Sequence, residues 1–194
     1  MTIEAVGTRT GEPRLRNPRL RGPMTTVRRE RPEDKAQIYE VNYQAFGRKE
    51  EAEVVDLLRS SCPEGVSLVA EAEGRIVGHI LFTPTIIEDE GTSLVGTGLA
   101  PLAVLPQYQR KGIGSALVRA GLDEMRMAGE PFVILVGHPG YYPRFGFERA
   151  SKYDIRCEYS EVPDEAFMII VFDQGRMQGV KGVAKERPEF AAAM

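Results

Sequence analysis

The chain has 194 residues, of which 42% are hydrophobic and 27% charged, and it contains no tryptophan. This length and composition are typical of one globular domain with a short extension. The formal net charge of −3 gives the chain no overall attraction for nucleic acid, so a nucleic-acid partner is not expected. No apolar run approaches the roughly 20 residues of a membrane-spanning helix, and no apolar signal segment begins the sequence. We therefore expect a cytoplasmic protein that does not engage a membrane.

Residues 1–23 differ in composition from the rest of the chain. They contain five arginines, three prolines and three glycines, with almost no apolar periodicity. We expect a flexible basic extension there, followed by a single domain over residues 24–194. An alternative is that the extension grips an acidic partner such as RNA. The two cysteines, Cys62 and Cys157, lie far apart and fit no metal-binding spacing, so we expect reduced structural thiols and no metal site.

Hydrophobic periodicity predicts the secondary structure along the chain. The predicted strands cover residues 26–29, 67–72, 75–87, 94–104, 132–136 and, as the last strand, 166–172; the predicted helices cover residues 32–46, 50–59 and 112–128, with a short helical piece at 141–145. A turn at Glu73-Gly74 joins two strands into a hairpin. Pro101 interrupts the strand over 94–104, and since proline cannot donate to a strand ladder, we expect a bulge or splay there. The order predicts a mixed α/β sheet with a β-α-β unit and helices on both faces.

The segment over residues 102–118 carries most of the functional information. It runs from an apolar strand through a basic Gly-x-Gly loop directly into a helix. Glycine lets the backbone curl, so the N–H groups of residues 109–114 can turn inward. The helix adds unpaired N–H groups and the positive end of its dipole, and Arg110 and Lys111 add mobile positive charge. The junction therefore predicts a site for a phosphate-bearing molecule.

Two motifs in this sequence resemble those of the GNAT-type N-acetyltransferase superfamily. The loop Gln109-Arg-Lys-Gly112-Ile-Gly114 is similar to the family's pyrophosphate loop, and Tyr142-Pro-Arg-Phe-Gly-Phe147 resembles its Tyr-x-x-x-Gly-Phe motif. The stretch over residues 137–147 is similar to a stand-alone bacterial branch of acetyltransferases. The chain lacks the Asn that many members carry ahead of the tyrosine, so no cofactor contact is transferred from it. The resemblance implies an α/β fold with a mostly antiparallel central sheet, splayed between two parallel strands, and helices on both faces.

The resemblance also implies acetyl-coenzyme A (acetyl-CoA) as donor and a primary amine as acceptor, on a small molecule or a peptide. The donor's pantetheine arm would pair with the end of the strand before the loop, and its diphosphate would lie on the loop. Arg144 is counted among the expected contacts, with a solvated side chain as the alternative. The residues expected to bind it are Leu102, Ala103, Val104, Gln109, Arg110, Lys111, Gly112, Ile113, Gly114, Ser115, Tyr142 and Arg144.

In the expected mechanism a neutral amine attacks the thioester carbonyl directly, and a strand amide such as that of Val104 stabilises the oxyanion. Tyr142 holds its proton at neutral pH and serves as general acid for the leaving thiolate. His138 is a candidate base because histidine titrates near neutrality, and Glu71 and Glu88 remain open alternatives. Tyr141 is expected to pack rather than to react.

Other interpretations stay open from the sequence alone. The chain could be a non-catalytic module that senses acyl-CoA, in which case the loop would persist and Tyr142 would be dispensable. A dinucleotide-binding fingerprint fits less well, because Leu117 stands where the third glycine belongs. Exposed strand edges make a homodimer an expectation, and the sequence carries no signature of the acceptor.

Overall fold

The computed structural model describes residues 25–192. The predicted extension over residues 1–23 lies outside these residues. Within them the chain forms three α-helices and nine strands: β1 (Thr25–Arg29), α1 (Lys35–Phe46), α2 (Glu50–Ser61), β2 (Val66–Ala72), β3 (Arg75–Asp89), β4 (Thr92–Val104), α3 (Ile113–Met127), β5 (Phe132–Val136), β6 (Glu148–Arg149), β7 (Ile155–Cys157), β8 (Phe167–Val171) and β9 (Gly182–Lys185). Among the helices of this part of the chain, none is long and apolar enough to cross a membrane.

The strands form one mixed sheet in the order β1-β2-β3-β4-β5-β8-β6. Strands β4 and β5 run parallel, joined by α3, and the other neighbours along this path are antiparallel. Strand β9 pairs antiparallel with β3 and parallel with β7. The sheet therefore confirms the predicted fold class and the predicted β-α-β unit. The homodimer stays a prediction.

The pairing between β4 and β5 is short. Only two register positions join them, Thr97 with Val133 and Gly98 with Ile134. Beyond this point β4 bulges: the register with β3 shifts between Ile80 and Phe82, at the level of Pro101. Proline offers no N–H to a neighbouring strand, which accounts for the interruption. The bulge expected at Pro101 is confirmed, and the end of β4 is left open on the side toward β5.

The helices cover both faces of the sheet. Gly78 in β3 faces α3. A Cβ atom added at Gly78 would lie 3.0 Å from Leu117 and 3.1 Å from Ile113, which both belong to α3. The next residue, His79, is fully buried and contacts Asn42 of α1 at 3.0 Å. Because successive residues of a strand point to opposite faces, α1 and α3 lie on opposite sides of the sheet.

The last predicted strand is not the last one observed. Strand β8 corresponds to the predicted strand over 166–172, but β9 follows it and completes the sheet beside β3. Strand β9 has only four residues and begins at Gly182, whose φ is +117°. Any side chain at Gly182 would overlap the backbone of Glu88. The pairing of β9 depends on β3, which is far away in sequence. The four residues of β9 are too few to show a hydrophobic period, so the sequence did not predict this strand.

Close packing between α3 and the sheet predicts the effect of Gly121→Val. A side chain at Gly121 would overlap the ring of Phe82, which is 1% exposed. We expect the free energy of unfolding to fall by about 2–3 kcal/mol, because a well-packed core cannot absorb the added volume. Chemical denaturation measures it. The matched variant Met127→Val lies on the same helix at a residue that is 80% exposed, and it should change stability by about 0.5 kcal/mol or less. Equal stability of the two variants would contradict the packing described here.

Candidate active site

The loop between β4 and α3 presents unpaired backbone donors. Arg110 has a φ of +59° and Gly112 a φ of +88°, so the backbone turns through two left-handed residues before the helix begins. The first bond inside the helix runs from the N–H of Ala116 to the oxygen of Gly112, at 2.9 Å. Within residues 25–192, the N–H groups of residues 113–115 therefore have no partner. Together with the positive end of the helix dipole, they can bind an anion.

Hydrogen bonds to nearby backbone oxygens hold two side chains of the loop in place. Gln109 donates from Nε2 to the Val104 oxygen at 3.0 Å, which ties the loop to the end of β4. Lys111 donates from Nζ to the Gln107 oxygen at 2.8 Å and lies 5.3 Å from the centroid of the Tyr108 ring. Arg110 is exposed. The loop thus keeps two cations at its rim beside the free N–H groups.

The end of β4 has main-chain groups on its open edge. The N–H of Leu105 donates to the Val77 oxygen at 3.0 Å, and Val104 lies opposite Gly78. Since alternate residues direct their peptide groups to opposite edges, those of Leu102 and Val104 face away from β3. Those of Ala103 face β3, where it lies opposite His79. The three predicted strand residues are therefore not equivalent: two of them offer groups to a ligand.

A cavity of about 450 Å³ opens where β4 and β5 separate. Its walls are the bulge of β4, the turn after β5, and a set of aromatic and charged side chains: Phe46, Arg48, Glu51, His138, Tyr141, Tyr142, Tyr159, Glu186 and Phe190. The volume lies in the range of small-molecule sites. Among residues 25–192, no group of three His, Cys, Asp or Glu side chains could hold a metal ion.

Tyr142 is the most buried polar side chain in this cavity. It is 8% exposed and begins the short helical turn Tyr142–Phe145. Its ring packs against Gly137, where any side chain would overlap it, and edge-on against Phe147 at a centroid distance of 5.7 Å. Burial, and to a lesser extent the neighbouring Tyr141, raises the pKa of Tyr142 well above its ordinary value. The phenol therefore keeps its proton throughout the neutral range.

His138 and Arg144 are both exposed, and they precede and follow Tyr142 in the chain. The Nδ1 atom of His138 accepts the N–H of Gly140 at 3.1 Å, and the ring lines the cavity. Arg144 lies 4.7 Å from the centroid of the Tyr141 ring and donates to the Gly140 oxygen at 3.2 Å. Glu71 and Glu88, the other two candidate bases, pair with Arg28 and Lys185 and do not line the cavity.

The structure brings three further residues to the site. Tyr141 lines the cavity, and its hydroxyl lies 3.5 Å from Ser115 Oγ. The same hydroxyl would lie 2.9 Å from a Cβ atom added at Gly114. It thus joins the loop to the cavity as well as packing. Glu51 and Glu186 also line the cavity. No sequence motif marks these two glutamates, since α2 and the segment after β9 meet only in the folded chain.

Comparison with known proteins agrees with this geometry. The family described as "Acetyltransferase (GNAT) domain" matches residues 26–150. The uncharacterized N-acetyltransferase YhbS of Escherichia coli strain K12 is 33% identical over 165 residues, which cover 84% of this chain and 97% of that protein. YjhQ of the same strain, another uncharacterized N-acetyltransferase, is 44% identical over 117 residues, 59% of this chain and 65% of that protein.

Two solved structures are similar over most of the chain. The crystal structure of E. coli YhbS in complex with CoA has a TM-score of 0.80 at 31% identity, covering 88% of this chain and 93% of that one. A GNAT family acetyltransferase from Brucella melitensis in complex with acetyl-CoA has a TM-score of 0.69 at 34% identity, covering 87% and 99%. The chain belongs to the GNAT acetyltransferase family, which confirms the resemblance inferred from its two motifs.

Proposed function

We propose that this protein transfers an acetyl group from acetyl-CoA to a primary amine of a small molecule or peptide, by direct attack of the amine. One observation carries the proposal: the anion-binding loop and the cavity with Tyr142 lie along the same open edge of β4. A donor with a diphosphate at one end and a thioester at the other matches this order of sites along one edge. The CoA and acetyl-CoA bound in the two similar structures support the same donor.

The donor would be held largely by backbone groups. Its diphosphate would accept hydrogen bonds from the loop over residues 109–115, with Arg110, Lys111 and Arg144 near its charge. Its pantetheine amides would pair with Leu102 and Val104 as a short added strand. Ala103, which faces β3, would hold the edge in place. This arrangement would direct the thioester toward Tyr142.

The chemistry then needs an oxyanion donor, an acid and a base. The N–H of Val104 faces the open edge of β4 and would stabilise the oxyanion that forms as the amine adds to the carbonyl. Tyr142 would protonate the sulfur as the C–S bond breaks. Two groups of the cavity can take the proton of the acceptor, His138 and Glu186.

Replacing Gly112 tests the loop. In Gly112→Val the side chain would cover the inward N–H groups and strain a left-handed backbone. We expect the Kd for CoA, measured by calorimetry, to rise roughly tenfold or more, equivalent to about 1.4 kcal/mol.

The matched control is Gly129→Val, just after the other end of α3. Gly129 has a φ of +76° and, like Gly112, nothing within 4 Å of an added side chain. Its strain is comparable, but it lies away from the loop, so CoA affinity should be unchanged. Equal affinity of Gly112→Val and the wild type would refute the loop as the diphosphate site.

Replacing Tyr142 separates an enzyme from a sensor. We expect Tyr142→Phe to lower kcat for acetyl transfer by about 10²-fold, because the leaving thiolate loses its proton donor, while the Kd for CoA stays the same. Thiol release with a panel of amines measures kcat. Tyr141→Phe is the neighbouring control, and it should alter CoA binding more than kcat. Tight CoA binding without thiol release from any amine, in the wild type as well, would favour a non-catalytic acyl-CoA sensor.

A further inference from the structure

Glu186 occupies a distinctive position in the cavity. It follows directly after β9, whose pairing with β3 fixes the backbone there through Lys185 opposite Ile86. The N–H of Glu186 donates to Glu158 Oε1 at 2.6 Å, which anchors the residue without using its own carboxyl group. The side chain lines the cavity, and in the described part of the chain no donor hydrogen-bonds its carboxyl oxygens.

The surroundings of this carboxyl group disfavour its charged form. Burial, and then the negative charge of Glu158, raise the pKa of Glu186 to about 7. Arg48 is a cation that also lines the cavity, and it donates from Nε to Glu51 Oε1 at 2.9 Å. The other polar groups that face the cavity are His138, Tyr141, Tyr142 and Tyr159. Among residues 25–192, Glu186 thus has no ion-pair partner, and its side chain lines a cavity large enough for a small molecule.

We propose that Glu186 is the general base for the acceptor, and that its cavity selects cationic primary amines with an apolar body. The inference rests on the proposed function and names the base and substrate class of the same site. The apolar walls, which include Phe46, Val54 and Phe190, would enclose the body of the amine. The carboxylates of Glu186 and Glu158 would attract its ammonium group.

The proton balance closes with the residues at hand. Glu186 takes one proton from the ammonium group and leaves a neutral amine. The nitrogen lone pair forms the C–N bond to the acetyl carbonyl, and the C–S bond breaks with its electron pair on sulfur. Tyr142 gives its proton to that sulfur and regains one from the nitrogen as the amide forms. Glu186 then releases its proton to solvent, so each turnover yields an acetylamide, CoA and one proton.

Glu186 fits this role better than the other candidates. His138 is exposed, and its Nδ1 already accepts a backbone N–H. Glu51 is held in an ion pair with Arg48 and has an ordered counter-charge. A general base works best when its pKa lies near the operating pH and no permanent partner competes for its lone pairs. Glu186 meets both conditions.

The test compares Glu186→Gln with the wild type in an acetyl-transfer assay from pH 5.5 to 9.5, with tyramine as acceptor. In the wild type kcat should fall below an inflection near pH 7, because protonated Glu186 cannot accept a proton. In Glu186→Gln we expect kcat at pH 7 to drop by about 10²-fold and the inflection to vanish, with CoA affinity unchanged.

Two further carboxylates sharpen the test. Glu158→Gln removes the like charge beside Glu186, so the inflection should move to lower pH. Glu161→Gln, at an exposed residue that does not line the cavity and does not act on the pKa of Glu186, should keep the wild-type inflection. Tyrosine, which is tyramine with an added carboxylate, should react at least about tenfold more slowly in kcat/KM, since the pocket repels it.

Each contrary result has its own meaning. An inflection that persists in Glu186→Gln but vanishes in His138→Asn would assign the base to His138 and overturn the inference. Equal rates with tyrosine and tyramine would overturn the selection of cationic amines. CoA binding without thiol release from tyramine would also count against the inference, because that amine matches the pocket. Failure to bind CoA at all would refute the proposed function instead.

Discussion

The short contact between β4 and β5 is the constraint on which the rest of the structure depends. Two parallel neighbours that stayed paired along their full length would saturate each other's peptide groups and leave no room between them. Here the pairing ends after Gly98 and Ile134. The same interruption leaves the edge of β4 unpaired and creates the cavity beside it. The sheet thereby exposes unpaired peptide groups along the end of β4, and the proposed donor would bind there.

The local parts of this arrangement could be predicted from the sequence. Gly112 signals a left-handed residue before a helix, Pro101 signals a break in a strand, and the pattern from Tyr142 to Phe147 marks a compact turn after β5. Each of these depends on neighbours along the chain, where the physical causes are sterics and hydrogen bonding over a few residues. The structure confirmed the elements around them within a few residues.

The acceptor side could not be predicted in the same way. Strands β6, β7 and β9 have two to four residues, too few to display a period. The pKa of Glu186 is raised by burial and by the charge of Glu158, which belongs to a separate segment. Such properties arise from contacts between residues far apart in sequence. The proposed donor site depends on backbone groups and local motifs, whereas the proposed acceptor site depends on side chains that come together only in the folded chain. The first is therefore easier to infer from sequence than the second.

The late position of β9 has a consequence for biosynthesis. The ribosome delivers β4, the glycine loop and α3 well before residues 182–186 emerge, and folding during synthesis proceeds from the N-terminal side. A nascent chain could therefore form the proposed acetyl-CoA site before the segment that carries Glu186 has been synthesised. In the proposed enzyme, competence for turnover would be withheld until the segment after β8 had docked against β3.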